Sequence, residues 1–195
     1  MSQLKHQEKI FNVVKDKSIY AYLWDMGAGK TKAALDDIAQ LAWSAKIGAA
    51  IIIAPKGVYR NWTNIEIPKH WTDDIPVEVV TWDSKSRGVA ADKMYENFLK
   101  PKAVFKFLIV NIEALSSSKR ANDYIMKFIK SHTTIVVVDE STTIKHRDSK
   151  RTKNVMKLKN LAPYRRIMTG TPITNSPLDL YSQFAFLGTA VLGFS

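Results

Sequence analysis

The chain of 195 residues, 46% of them hydrophobic, is long enough to bury one core and short for two, so a single domain over residues 1–195 is expected. It has no cysteine, His6, His70, His132 and His146 stand too far apart for a zinc site, and no stretch approaches the ~18 apolar residues of a membrane span, which excludes disulfide-stapled, zinc-structured and membrane-spanning classes. Lys and Arg number 29 against 18 Asp and Glu, a formal charge of +11 that suits a polyanion such as DNA or RNA, and equally a merely solvated basic surface.

Leu4–Lys15 has the spacing of a short amphipathic helix, and the start MSQLKHQEKIF lacks the apolar core of a signal peptide, so a cytoplasmic location is expected. Ser18–Trp24, β-branched and aromatic, predicts a strand running into Gly27 and Gly29. A helix over Lys30–Ala45 would put Leu35, Ile38, Ala39 and Ala42 on one face, and Ala49–Ala54 predicts a buried strand ended by Pro55. Apolar runs at Val77–Trp82, Phe105–Val110, Thr134–Val138 and Arg166–Thr169, separated by helix-like stretches, repeat the alternation. Fully apolar strands between helices predict an α/β fold of three layers with a mostly parallel central sheet, which binds its ligands at the carboxyl ends of the strands. Basic residues crowd Lys145–Lys159 and none follows Arg166, so the tail supplies no cationic catalytic group.

The chemistry-bearing motifs fall where predicted strands end. Trp24-Asp25-Met26-Gly27-Ala28-Gly29-Lys30-Thr31 contains the G-x-G-K-T end of a phosphate-binding loop between a strand and a helix. Its glycines let backbone N–H groups close on phosphate oxygens, Lys30 reaches the terminal phosphates and Thr31 ligates Mg2+. Trp24 stands where the general pattern has its first glycine. A glycine-rich turn with an incidental lysine is the plain alternative, and the flanking strand and helix weigh against it. Asp139-Glu140 ends the run Ile135-Val136-Val137-Val138, leaving two acids at the mouth of the crevice. An ATPase needs one carboxylate to hold magnesium, assigned to Asp139, and another to orient the attacking water, assigned to Glu140.

Together with IIIAPKGVYRNWTNIEIPKHW, VVVDESTTIKHRDSK and RRIMTGTPITNSPLDLYSQFAFL, the loop DMGAGKT resembles the first RecA-like lobe of a superfamily-two helicase, most closely the Swi/Snf-type group of duplex-DNA translocases. The resemblance implies a RecA-like P-loop domain that binds ATP through Gln7, Met26, Gly27, Ala28, Gly29, Lys30 and Thr31. It implies that Gln7 reads adenine and that Thr169, Gly170 and Thr171 couple phosphate status to nucleic-acid contacts. It further implies that Lys56 and the loop around Asn111-Ile112-Glu113 meet the DNA backbone without reading base sequence, with Arg60, Lys145 and Arg147 as further phosphate contacts. Trp62 is expected to pack rather than to stack on bases. Two departures stand out. The acidic motif continues Ser141-Thr142 where the family has His or Asp in the fourth place, so the link made there would fall to the Thr142 hydroxyl; and the second RecA-like lobe, source of the arginine that meets the γ-phosphate, has no counterpart in this chain and would act in cis or in trans.

The expected function is thus the ATP-binding lobe of a DNA-dependent translocase, nearly inactive by itself, from a compact microbial or viral motor. A single-lobe module that binds nucleotide or DNA without turnover is the alternative, disfavoured by Lys30, Asp139 and Glu140. A P-loop kinase ranks last, because NW-x-x-x-E and TGTP have no use there.

Overall fold

The computed structural model of the protein describes residues 11–15 and 17–188. Six strands, β1 (Ile19–Tyr22), β2 (Ala49–Ala54), β3 (Val77–Thr81), β4 (Phe105–Asn111), β5 (Thr134–Asp139) and β6 (Tyr164–Met168), form one sheet in the spatial order β1-β6-β5-β2-β4-β3. Every neighbouring pair is parallel. The helices are α1 (Lys30–Trp43); α2, a continuous helical stretch of Tyr59–Asn61, a π-helical Trp62–Glu66 and Ile67–His70; α3 (Val89–Leu99); α4 (Ala114–Ser117); α5 (Lys119–Ser131); α6 (Lys150–Leu158); and α7 (Asp179–Leu187).

The layering follows from strand chemistry. β2, AAIIIA, is buried at every position, as a strand covered on both faces must be. Alternate side chains leave the sheet in opposite directions. Ile51, Ile53, Leu108, Val110, Val136 and Val138 meet Phe98, Phe128, Val155 and Phe186 of α3, α5, α6 and α7. Ile52, Phe107, Ile109, Ile135 and Val137 meet Leu35, Ile38 and Leu41 of α1 and Tyr59, Trp62 and Ile67 of α2.

Of the helix expected over Leu4–Lys15, positions 11–14 are helical and its earlier part lies outside the described residues. The α1 face differs from expectation: Ala34, Leu35, Ile38 and Leu41 are fully buried, whereas Ala39 and Ala42 are half-buried. This helix ends at Trp43 rather than Ala45, because Ala45 takes a left-handed φ of 53°. Its N–H then donates to the Ala42 carbonyl at 2.9 Å and that of Lys46 to the Leu41 carbonyl at 2.9 Å, a Schellman ending.

β6 begins at Tyr164, two residues before the predicted start, and carries two arginines into the fold. Arg166 is fully buried: its Nε donates to Asp37 Oδ2 at 2.7 Å and Nη2 to Oδ1 at 3.2 Å, which ties β6 to α1. Its remaining donors reach the carbonyls of Ser18 at 3.0 Å and Lys17 at 2.9 Å beside β1. Arg165 donates to the Leu187 carbonyl at 2.7 Å and the Lys159 carbonyl at 3.0 Å, closing the ends of α7 and α6. The buried charge of Arg166 is thus matched by Asp37, while the half-buried Arg165 has its donors taken by carbonyl oxygens.

Candidate active site

Because all the strands run the same way, the loops following β1, β2, β4, β5 and β6 open at one edge of the sheet. After β1 the chain makes a tight loop in which Gly27 and Gly29 both have φ 79°, a conformation costing about 1–2 kcal/mol in a residue with a side chain. Gly29 is the N-cap of the 14-residue α1 and no side chain caps that end, so the positive end of the helix dipole stays directed at the loop. Lys30 curls back over it, its Nζ donating to the carbonyls of Trp24 at 2.8 Å and Asp25 at 3.0 Å. Phosphate oxygens arriving at the loop would replace those carbonyls as acceptors. Met26 stands at the outer lip, 86% exposed. Thr31 follows in the first turn of α1.

Two strands away, β5 delivers the acids. Asp139 Oδ1 accepts from the Glu140 backbone N–H at 3.0 Å, and Oδ2 accepts from the indole N–H of Trp62 at 2.9 Å. Burial pushes the Asp139 carboxyl above the ordinary aspartate range, while the Trp62 and Glu140 N–H groups and the nearby charge of Lys30 pull against it. A cation would therefore be welcome. The oxygen donors on offer, the Asp139 carboxylate and the Thr31 hydroxyl, are hard ligands. Among the described residues no cluster of three His, Cys, Asp or Glu could hold an ion unaided. Such a set fits Mg2+, which takes one or two protein oxygens and completes its shell with phosphate and water.

Glu140 is in the left-handed region, φ 50° and ψ 62°, an uncommon place for a residue with a side chain and the kind of strain that gathers at active sites. Its Oε1 accepts the hydroxyl of Thr169 at 2.5 Å and that of Thr142 at 3.1 Å. Thr169 Oγ1 in turn accepts the backbone N–H of Thr171 at 3.1 Å, so a chain of donors runs from the loop after β6 to the Glu140 carboxylate. Gly170 lies against the phosphate loop: a methyl there would stand 3.2 Å from Met26 Cγ and 3.4 Å from the Met26 nitrogen. Thr142 does not make the link expected of the fourth motif position, because its hydroxyl turns to its own neighbour Glu140. Ser141 makes a link instead. Its hydroxyl donates to the buried Gln183 Oε1 at 2.6 Å, and Gln183 Nε2 donates to the Pro172 carbonyl at 2.8 Å.

The proposed nucleic-acid contacts divide. Lys56 is exposed after β2, with its backbone N–H donating to Glu113 Oε2 at 3.1 Å, which joins the loops after β2 and β4. Arg60 is exposed and pairs loosely with Asp83 at 3.3 Å. Asn111 is buried, and its Oδ1 accepts the Ala114 N–H at 2.8 Å to start α4, so here its side chain serves as a local cap. The Lys145 ammonium donates to Thr174 Oγ1 and lies 3.7 Å from Asp179, holding down the loop after β6. Arg147 sits over the Tyr181 ring at 5.9 Å. Gln7 lies outside the described residues. Neither the indole of Trp62 as an Asp139 partner nor Gln183 as a brace for the acidic motif is expected from the sequence, for each joins segments remote along the chain.

Known proteins are similar to this chain in sequence and in fold. A model of the SNF2-related domain matches residues 23–194. An uncharacterized ATP-dependent helicase of Mycoplasma pneumoniae is 31% identical over 170 residues, 87% of this chain and 15% of that protein. The ATP-dependent helicase fft2 of Schizosaccharomyces pombe is 24% identical over 184 residues, 94% of this chain and 13% of its own length. Among solved structures, the Sulfolobus solfataricus SWI2/SNF2 ATPase core in complex with dsDNA superposes with a TM-score of 0.72 at 24% identity, covering 100% of this chain and 37% of that one. The chain thus spans a small part of each relative's length.

Proposed function

Since the chain belongs to the SNF2-related domain family, we propose that it is the ATP-binding lobe of a DNA-dependent motor that couples hydrolysis to movement along duplex DNA, with a second RecA-like lobe completing the site. The observation that carries the reading is the 2.5 Å bond from Thr169 to Glu140, which joins the carboxylate next to the phosphate loop to the loop that packs on Met26.

Each residue then has a task. The phosphate loop and the α1 N-terminus hold the triphosphate, and Lys30 leaves the Trp24 and Asp25 carbonyls for its terminal oxygens. Asp139 and Thr31 would hold Mg2+, which when bound would neutralise charge on the phosphate oxygens. Glu140, fixed by the two threonine hydroxyls, orients the attacking water and accepts its proton. Loss of phosphate is felt first by Glu140, then by Thr169, Gly170 and Thr171. Lys56, with Arg60 beside it, meets the DNA backbone independently of base sequence.

Hydrolysis of ATP with and without duplex DNA tests this, comparing the chain, its Glu140→Gln variant and a longer protein that includes a second lobe. The chain alone is expected to bind nucleotide and turn it over slowly, since an arginine supplied by a partner lobe is worth ~10³-fold or more. DNA should stimulate only the longer protein, and Glu140→Gln should lower its turnover by roughly 10²–10⁴-fold while sparing nucleotide affinity. Nucleotide binding with no turnover in any form would make the protein a binding module instead.

A further inference from the structure

We propose that Trp62 is a positioning residue for the magnesium carboxylate, its indole N–H setting the orientation of Asp139 and making that orientation depend on where the DNA-facing helix lies. The proposal rests on the reading of Asp139 as a metal ligand. Trp62 is 2% exposed, and its Nε1 donates to Asp139 Oδ2 at 2.9 Å. The other oxygen is taken by the Glu140 N–H at 3.0 Å. An ionised carboxylate has about four lone-pair sites. With one engaged on each oxygen, the carboxylate cannot rotate freely about its Cβ–Cγ bond, and its unused lone pairs keep a fixed direction.

The indole sits at a telling place in the chain. Trp62 opens the π-helical turn Trp62–Glu66, a widening of α2 that is rare and collects at functional sites. Immediately before it come Lys56 in the loop and Arg60 on the helix, both exposed. The segment is anchored on each side: the Val58 and Tyr59 N–H groups both donate to the Pro55 carbonyl at 2.9 Å, and the Thr63 and Thr81 hydroxyls meet at 2.5 Å across to β3. A displacement of the Lys56–Arg60 segment thus has a short covalent path to the indole, and the indole a single hydrogen bond to the carboxylate. Partners that orient a metal ligand in this manner are worth 10–100-fold in metal affinity.

Trp62→Phe keeps an aromatic ring and removes the donor. In the full chain, the Mg2+ concentration needed for binding of a non-hydrolysable ATP analogue should rise about 10-fold in this variant, while binding of the same analogue in EDTA is unchanged. An unchanged Mg2+ requirement in a variant that melts with the wild type overturns the proposal. A second measurement needs no variant: the Trp62 indole N–H resonance of the wild type, assigned through its backbone, should shift when Mg2+ is added to the analogue-saturated chain and shift again with duplex DNA. A resonance that stays put under both additions also overturns it. Lys30→Ala separates nucleotide binding from the positioning of Asp139. If wild type and Lys30→Ala bind the analogue equally poorly, the nucleotide reading itself fails, whereas Lys30-dependent binding with a silent Trp62 sinks only the positioning role.

Discussion

Gly170 shows how little room the coupling loop leaves. An alanine there puts its methyl 3.2 Å from the flexible Met26 side chain but also 3.4 Å from the Met26 backbone nitrogen and 3.5 Å from the Trp24 carbonyl. The two backbone distances are ordinary contacts, and only the exposed Met26 side chain has to give way by a few tenths of an ångström, so Gly170→Ala is expected to leave nucleotide binding, measured by titration, and melting temperature nearly unchanged, whereas a larger side chain there would press on the loop itself. Ionisation supplies a second residue-level test. His132 lies 3.3 Å from Lys106, and burial, aided by that charge, lowers its pKa below the usual 6.5 despite a helping Phe128 carbonyl. The unfolded chain therefore takes up this proton first as pH falls. Stability should be undiminished above pH 6.5 and decline as pH drops from there through the lower folded value. A smaller drop in melting temperature between pH 7.5 and 5.5 in His132→Gln would check the assignment.

At the scale of elements, the Asp37–Arg166 pair is the bolt between α1 and β6, with side-chain exposures of 1% and 0%. Removing one partner leaves a buried charge, so Asp37→Ala should cost about 3–5 kcal/mol in denaturant unfolding, while joint replacement by Leu and Met should cost clearly less. The same pair explains what the sequence conceals. β2 and β5 are legible because unbroken apolar runs admit no other place, and β4 is legible despite a buried lysine, Lys106, that caps the end of α3 through the Phe98 carbonyl at 2.6 Å, whereas for β6 it is only the start that hides behind Arg165 and Arg166. Lys30-Thr31, Asp139-Glu140 and Thr169-Gly170-Thr171 stand out as local patterns at strand ends. The bonds that unite them do not, for Trp62 and Asp139 are 77 residues apart and Ser141 and Gln183 are 42 apart, and no local periodicity carries a partner so distant. Asn111 and Lys145 illustrate the reverse case: polarity at a strand end or in a basic run reads as a DNA contact, while in the structure these side chains hold internal partners, the Ala114 N–H and the Thr174 hydroxyl.

For the whole molecule, a charge of +11 favours a polyanion without choosing a surface, and the exposed Lys56 beside the Glu113-tied loop is where that attraction should be read. Lys56→Ala is expected to weaken binding to duplexes of unrelated sequence alike and to reduce the slope of log affinity against log salt by about one, as loss of a single phosphate contact does. The topology has a consequence in time as well. β1, which launches the phosphate loop, has β6 as its partner in the sheet, Ile19 beside Arg165 and Tyr22 beside Met168. Such long-range pairing is slow to close. On the ribosome β1 leaves ahead of β6 and has no neighbour in the sheet until that later strand has been synthesised, so the loop after β1 and the loop after β6 reach their final places together.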